Sequence, residues 1–170
     1  RLEISSVAVV DSIDCYGDLD GRGIVYMVNG SGSPAYTYLW DNGETAFLAN
    51  SLSGGWHTIE VSDTRGCVVE DSVEIPENSE IISDLLITNP ISCYGDNDGA
   101  ISVITQGGVL LSATPFYDYF WSNGVNPNFT FIDILSHGSY YVTTRDSLGC
   151  MVVDSIYLPE PDPLYVNAEQ

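Results

Sequence analysis

Short runs of apolar residues recur along the chain, and none is long. LEISSVAVV, IVYMV, YTYLW, WHTIEVS and CVVEDSVEI follow one another, separated by DGRG, NGSGSP, DNG, LSGG and DTRG. Alternating apolar and polar residues bounded by Gly, Asn, Asp and Pro predict β-strands joined by tight turns. No segment holds a 3.6-residue period over a helix's length. The pattern predicts an all-β protein built as a sandwich, with about seven strands in about 80 residues.

The pattern also repeats. CYGDLDG (Cys15 to Gly21) returns as CYGDNDG (Cys93 to Gly99), and YTYLWDNG (Tyr36 to Gly43) returns as YDYFWSNG (Tyr117 to Gly124). LSGGWHTIEVSDTRGC returns as LSHGSYYVTTRDSLGC, and VVEDSVEIPE as MVVDSIYLPE. The offset grows from 93 − 15 = 78 to 121 − 40 = 81 and 150 − 67 = 83, so the second copy is longer. The extra length falls around GGVLLSATP and NPNFTF, which read as loops. A period near 80 exceeds that of solenoid units and suits a complete small domain. We read two tandem immunoglobulin-like β-sandwich domains, 1–78 and 79–161, with 162–170 as the start of a further repeat. The joints IPENSEI and LPEPDPL are short and proline-bearing, which restricts motion between domains.

Charge narrows the partners. The chain has 24 acidic residues against four arginines and no lysine, a net charge of −20. Such a surface repels phosphate backbones and anionic membranes, so neither nucleic acid nor membrane is expected as a partner. No apolar run approaches the roughly 20 residues of a membrane helix.

Four cysteines stand one pair per copy, Cys15 with Cys67 and Cys93 with Cys150, at spacings of 67 − 15 = 52 and 150 − 93 = 57. Zinc knuckles use closer spacings. Two disulfides within the copies are therefore expected, and with them an oxidising, extracellular setting. The alternative is four buried free thiols.

The assembled pattern is Cys-x-Gly-x-x-Asp-Gly, Tyr-x-Tyr-x-Trp, Asn-Gly, Leu-Ser-x-Gly and Asp-x-x-Gly-Cys. It resembles the SprB repeat family of long surface adhesins in gliding Bacteroidota, and the resemblance covers both copies almost end to end. What it implies is a secreted cell-surface array exported by the type IX secretion system, serving adhesion or gliding motility. It also implies adjacent repeats and an extracellular surface or glycan as partners. The first copy departs from the family in GSGSPAY and in His57, where the second has Tyr140. The alternative reading is a carbohydrate-binding or spacer module attached to a secreted enzyme.

Candidate chemistry is sparse. His57 lies in phase with Ile59 and Val61, facing the core, and His137 reads as a solvated loop residue. No base recurs in both copies, so catalysis is not expected. The stripes Tyr36, Tyr38, Trp40 and Tyr117, Tyr119, Trp121 each share one strand face and read as core, whereas Tyr16 and Tyr94 read as exposed ligand-binding aromatics. Asp18 with Asp20, and Asp96 with Asp98, form half of a calcium-loop pattern. If the disulfides draw the loops together, Asp63 and Asp146 complete three carboxylates per copy, which suits Ca²⁺. The competing reading is Asx and Asp-Gly turn chemistry.

Overall fold

The computed structural model describes residues 1–110, 116–124 and 129–166. The chain forms two compact units, Arg1–Glu80 and Ile81–Gln170. The two insertions of the second copy fall largely outside the described residues, as do 167–170. Residues 161–166 form no strand, and Leu164, Tyr165 and Val166 are exposed.

The first unit has six strands: β1 (Ile4–Asp11), β2 (Gly21–Met27), β3 (Thr37–Trp40), β4 (Leu48–Leu52), β5 (Gly55–Ser62) and β6 (Val68–Ile75). They form two antiparallel sheets, β1-β2-β4 and β3-β5-β6. The second unit repeats this with β7 (Ile82–Asn89), β8 (Gly99–Gln106), β9 (Asp118–Trp121), β10 (Phe131–Leu135), β11 (Gly138–Arg145) and β12 (Met151–Leu158). Its sheets are β7-β8-β10 and β9-β11-β12. In immunoglobulin lettering the strands are A, B, C, E, F and G, with A-B-E on one sheet and C-F-G on the other. Each unit is therefore an immunoglobulin-like sandwich.

Six strands per unit replace the seven expected, because strand D is missing among the described residues. In the first unit the C–E connection closes on one side chain. The Glu44 carboxylate accepts the backbone N–H groups of Asn50 and Ser51 and the Asn42 side-chain amide. A turn held in this way leaves no extended segment to pair.

The alternation of β5 does what its pattern predicts. His57, Ile59 and Val61 point inward and are buried, while Trp56 and Thr58 point outward. The first core joins Val25, Ala49 and Leu52 of one sheet to Trp40, Ile59, Val61, Val73 and Ile75 of the other. The second core is built from the corresponding strands, with Trp121 in the place of Trp40 and with Tyr119 buried beside it. Each buried indole keeps its N–H bonded, Trp40 to the Ala46 carbonyl at 2.9 Å and Trp121 to the Phe129 carbonyl at 2.8 Å. The tyrosines of both stripes pack on these cores, so the stripes are interior surface.

One further contact fixes which end of the first sandwich is which. Beyond β1, Ile13 forms a parallel bridge to Glu77, with its N–H bonded to the Pro76 carbonyl at 2.9 Å. The A–B loop therefore lies at the end of the sandwich where β6 finishes. The F–G turn lies where β6 begins, eight residues away. At ~3.3 Å per residue these ends are about 26 Å apart.

Candidate functional site

The heptapeptide that opens each A–B loop is a turn with a support. Asp18 N–H bonds the Cys15 carbonyl at 3.1 Å, and Gly17 has φ 82°. Asp96, Cys93 and Gly95 do the same at 3.1 Å and φ 82°. A positive φ at the third position of a four-residue turn defines type II and calls for glycine. The Gly17 N–H then donates to Glu77 Oε1 at 2.8 Å, and the Gly95 N–H to Glu160 Oε2 at 2.8 Å. The glycine closing the heptapeptide serves packing. A Cβ on Gly21 would lie 2.7 Å from Ile75 and 2.8 Å from the Leu52 carbonyl oxygen, and one on Gly99 would lie 2.5 Å from Leu158.

The F–G turn is organised by a buried aspartate. Asp63 Oδ1 accepts the N–H groups of Arg65 and Cys67, both at 2.9 Å, and Oδ2 accepts that of Ser33 at 3.0 Å. Asp146 accepts Leu148 at 3.0 Å, Cys150 at 2.9 Å and Val109 at 2.9 Å. Each carboxylate thus ties the F–G turn to the B–C loop of its own unit. The Cys67 backbone N–H is the main reason the Asp63 carboxyl sits below its ordinary range, helped by Ser33 and Arg65 and opposed by burial.

The layout bears on two expectations, and the first is that three carboxylates converge in each copy. Asp18 and Asp20 stand in the A–B loop and Asp63 in the F–G turn, at opposite ends of β6. Asp96 and Asp98 are separated from Asp146 along β12 in the same way. Among the described residues no group of three His, Cys, Asp or Glu side chains is placed to hold a metal. Asp18 and Asp20 are exposed, and hydrogen bonds from Ser92 hold the Asp98 carboxyl below its ordinary range.

The second correction is to the cysteines. Cys15 and Cys150 are disulfide-bonded, whereas Cys67 and Cys93 are free thiols, both exposed. The expected pairs Cys15–Cys67 and Cys93–Cys150 do not form. A disulfide needs Cα atoms about 5.5 Å apart, and the two cysteines of a unit stand at its opposite ends.

Among the described residues, His57 occupies an arrangement that resembles a catalytic triad. Its Nδ1 lies 2.8 Å from Asp41 Oδ1, and its Nε2 lies 3.2 Å from the Ser53 hydroxyl but 3.0 Å from the Ser53 carbonyl oxygen. The ring nitrogen facing Ser53 lies nearer its carbonyl oxygen than its hydroxyl, so His57 bridges the end of strand C to the E–F turn. The second unit makes the same link with other atoms. Tyr140 donates its hydroxyl to the Ser136 carbonyl at 2.8 Å, and Ser122 replaces Asp41 in accepting a strand-F N–H, that of Tyr141, at 3.1 Å. The Asp41 carboxyl is pushed up by partial burial, but the bonds from His57 and Thr58 bring it below its ordinary range. His137 is an exposed residue of the turn between β10 and β11, as expected, and its Nδ1 lies 3.1 Å from Glu160 Oε1.

Tyr16 and Tyr94 are exposed, at 54% and 59% of their surface. Tyr94 lines a shallow cleft of about 440 Å³ with Ser92, Cys93 and Pro161–Leu164. Sequence reasoning missed Glu77 and Glu160, although both stood in the repeated Pro-Glu. Among the described residues no helix is long and apolar enough to cross a membrane.

Residues 85–126 match the SprB repeat family, from within β7 to just beyond β9. No curated protein matches the chain. Among solved structures it is similar to the three N-terminal domains of the bacteriophage RB49 highly immunogenic outer capsid protein Hoc. The identity is 18% over 92% of this chain and 58% of that one, with a TM-score of 0.38. It is also similar to murine CEACAM1b, at 13% identity over 92% and 100% of the two chains, TM-score 0.32. Domains 4 and 5 of the S-layer protein SbsC show 12% identity over 91% and 98%, TM-score 0.29. The chain thus spans little more than half of the Hoc fragment.

Proposed function

We propose that this chain is a segment of repeats from a secreted cell-surface adhesin, supporting surface attachment or gliding motility. The observation that carries the reading is where the repeated residues go. The Cys-Tyr-Gly-Asp turn, the Pro-Glu cap, the strand-C tryptophan and the F–G aspartate all serve the scaffold, and the match at residues 85–126 belongs to a repeat family. A scaffold residue set of this kind suits a module whose work is done by number. Many weak contacts sum by avidity when they are held on one chain. The acidic surface keeps neighbouring arrays apart and in solution.

The test uses the organism's full-length protein. Antibodies raised against this segment should label intact cells, and in-frame removal of the repeats should reduce attachment or gliding while export continues. Unlabelled intact cells, or unaltered attachment after removal, would overturn the reading. A second reading, binding of a glycan, is favoured by one observation: Tyr16 and Tyr94 stand exposed at equivalent places in both units. Glycan-array binding by the 170-residue chain that is lost in Tyr16→Ala and Tyr94→Ala would select it.

A further inference from the structure

The two C-F-G sheets share their strand pairing and differ on their outer faces. In the second unit Thr143 of β11 stands between Phe120 of β9 and Val153 of β12, and Arg145 stands between Asp118 and Met151. Tyr141 lies opposite Ser155, and Tyr157 opposite Ser139. Residues two apart on a strand share a face. Phe120, Tyr141, Met151, Val153 and Tyr157 therefore form one patch, each 44–66% exposed. Among the described residues the face carries one charge of each sign, and the two neutralise each other. Arg145 donates to Asp118 at 2.6 Å, and its guanidinium lies 5.4 Å from the centre of the Phe120 ring. In the first unit the same positions hold Leu39, Thr58, Val68, Glu70 and Glu74, with Glu60 in the place of Thr143. Glu60 stands directly opposite Glu70, a like-charge pair that costs stability.

We propose that the outer C-F-G face of the second unit is a docking surface, and that its occupant is the same face of a second copy of this chain. The composition is that of a protein interface, where Tyr, Phe, Met and Arg are enriched and Lys, Glu and Asp depleted. Charge selects the occupant. At a net charge of −20, two copies repel each other. Two second-unit faces meet with their charges already neutralised. Two first-unit faces would gather Glu60, Glu70 and Glu74 from each copy. A first-unit face on a second-unit face would bury three carboxylates against a cation that is already paired. Charge thus opposes those approaches and leaves the like-with-like one, which is self-complementary about a twofold axis. Area sets the strength. At ~4.8 Å between strands and ~3.3 Å per residue the face measures at most about 14 by 26 Å. That places the pair at the low end of interface size, among transient contacts. The proposal stands apart from the adhesin reading, which supplies only the repetition that lets weak contacts sum.

The test uses the 170-residue chain with Cys67 and Cys93 alkylated, so that these thiols cannot join copies. In sedimentation equilibrium its mass should rise towards twice the monomer between about 10 µM and 1 mM. Added salt should strengthen the association, because it screens the repulsion between copies. Amide NMR shifts that move with concentration should map to β9, β11 and β12. Val153→Glu and Tyr157→Glu install the residues that the first unit carries as Glu70 and Glu74, so the fold accepts them. Each should weaken association about tenfold or more, with the melting temperature unchanged. Ile104→Glu, at an exposed apolar position of the other sheet, should leave association as it was. A chain that stays monomeric at the highest concentration would overturn the proposal. So would association that persists in both glutamate variants, or concentration-dependent shifts confined to other faces. Shifts of β9, β11 and β12 that appear only with added soluble glucan, in a chain that remains monomeric, would overturn it in favour of a glycan site. Association is read in solution and not from attachment, so its failure leaves the adhesin reading standing, and failure of attachment leaves the association intact.

Discussion

The two units solve one local problem with different side chains. At the start of strand F the first unit donates from a histidine ring to the Ser53 carbonyl, and the second from a tyrosine hydroxyl to the Ser136 carbonyl. At the end of strand C the acceptor is an aspartate in one and a serine in the other. The bond survives while the chemistry changes. What is held is a donor reaching the E–F turn, not an imidazole or a carboxylate. The Asp63 and Asp146 sites differ in no such way: both keep a carboxylate with three backbone donors. Where three N–H groups converge, only an acceptor with several lone pairs will serve.

The sharpest way to break the comparison is at the core. Trp40→Ala and Trp121→Ala should each cost about 3–5 kcal/mol, most of the stability of a domain this small. Hydrogen exchange resolved by unit should show the mutated unit opening first. Equal loss of protection in both units would mean that they do not unfold separately.

Asp146→Ala comes next. It strands three N–H groups of a turn, and we expect a loss of about 3 kcal/mol in denaturant unfolding. Asp63→Ala should act in the same direction. The Asp63, Asp41 and Asp98 carboxyls are held below their ordinary range. Their contribution is therefore full above ~pH 4 and is lost as the pH falls through the lower folded values. Melting temperatures followed from pH 6 downward should fall in that acid window and not near neutrality.

A swap sharpens the comparison. His57→Tyr combined with Asp41→Ser rewrites the first unit in the second unit's terms and should change stability by less than about 1 kcal/mol. His57→Ala leaves the Ser53 carbonyl without its donor and should cost about 2 kcal/mol. A double variant as unstable as the alanine variant would mean that the imidazole has a role of its own.

The smallest expected effect concerns calcium. With the carboxylates of each unit divided between two ends, melting should be unchanged between chelator and millimolar calcium. A rise of several degrees would reveal a site built from other ligands.

The strands, the duplication and the inward tryptophans were legible because each is a local pattern. Alternation needs five residues, and a turn needs four. The cysteine pairing was not legible, because spacing does not say which end of a sandwich a loop occupies. That depends on Ile13 running parallel to Glu77, a contact between residues 64 positions apart. The expected meeting of Asp63 with Asp18 rested on the same assumption, since Asp63 reaches Asp18 only if Cys67 reaches Cys15. The role of Glu77 was hidden because a glutamate after a proline reads as linker until the turn it caps is in place.

The short parallel contact at the A–B end also bears on mechanics. Tension on the first unit enters at the beginning of strand A and leaves at the end of strand G. The Ile13 N–H to the Pro76 carbonyl, the Gly17 N–H to Glu77, and the Asn78 amide to the carbonyls of Ile13 and Asp14 all join those two strands. Pulling drives the strands past each other along their length. These bonds then take the strain together and must yield together, whereas a hairpin peeled from its open end loses its bonds one at a time. If the chain carries load, the loop with the repeated heptapeptide should act as a shear clamp on the first unit.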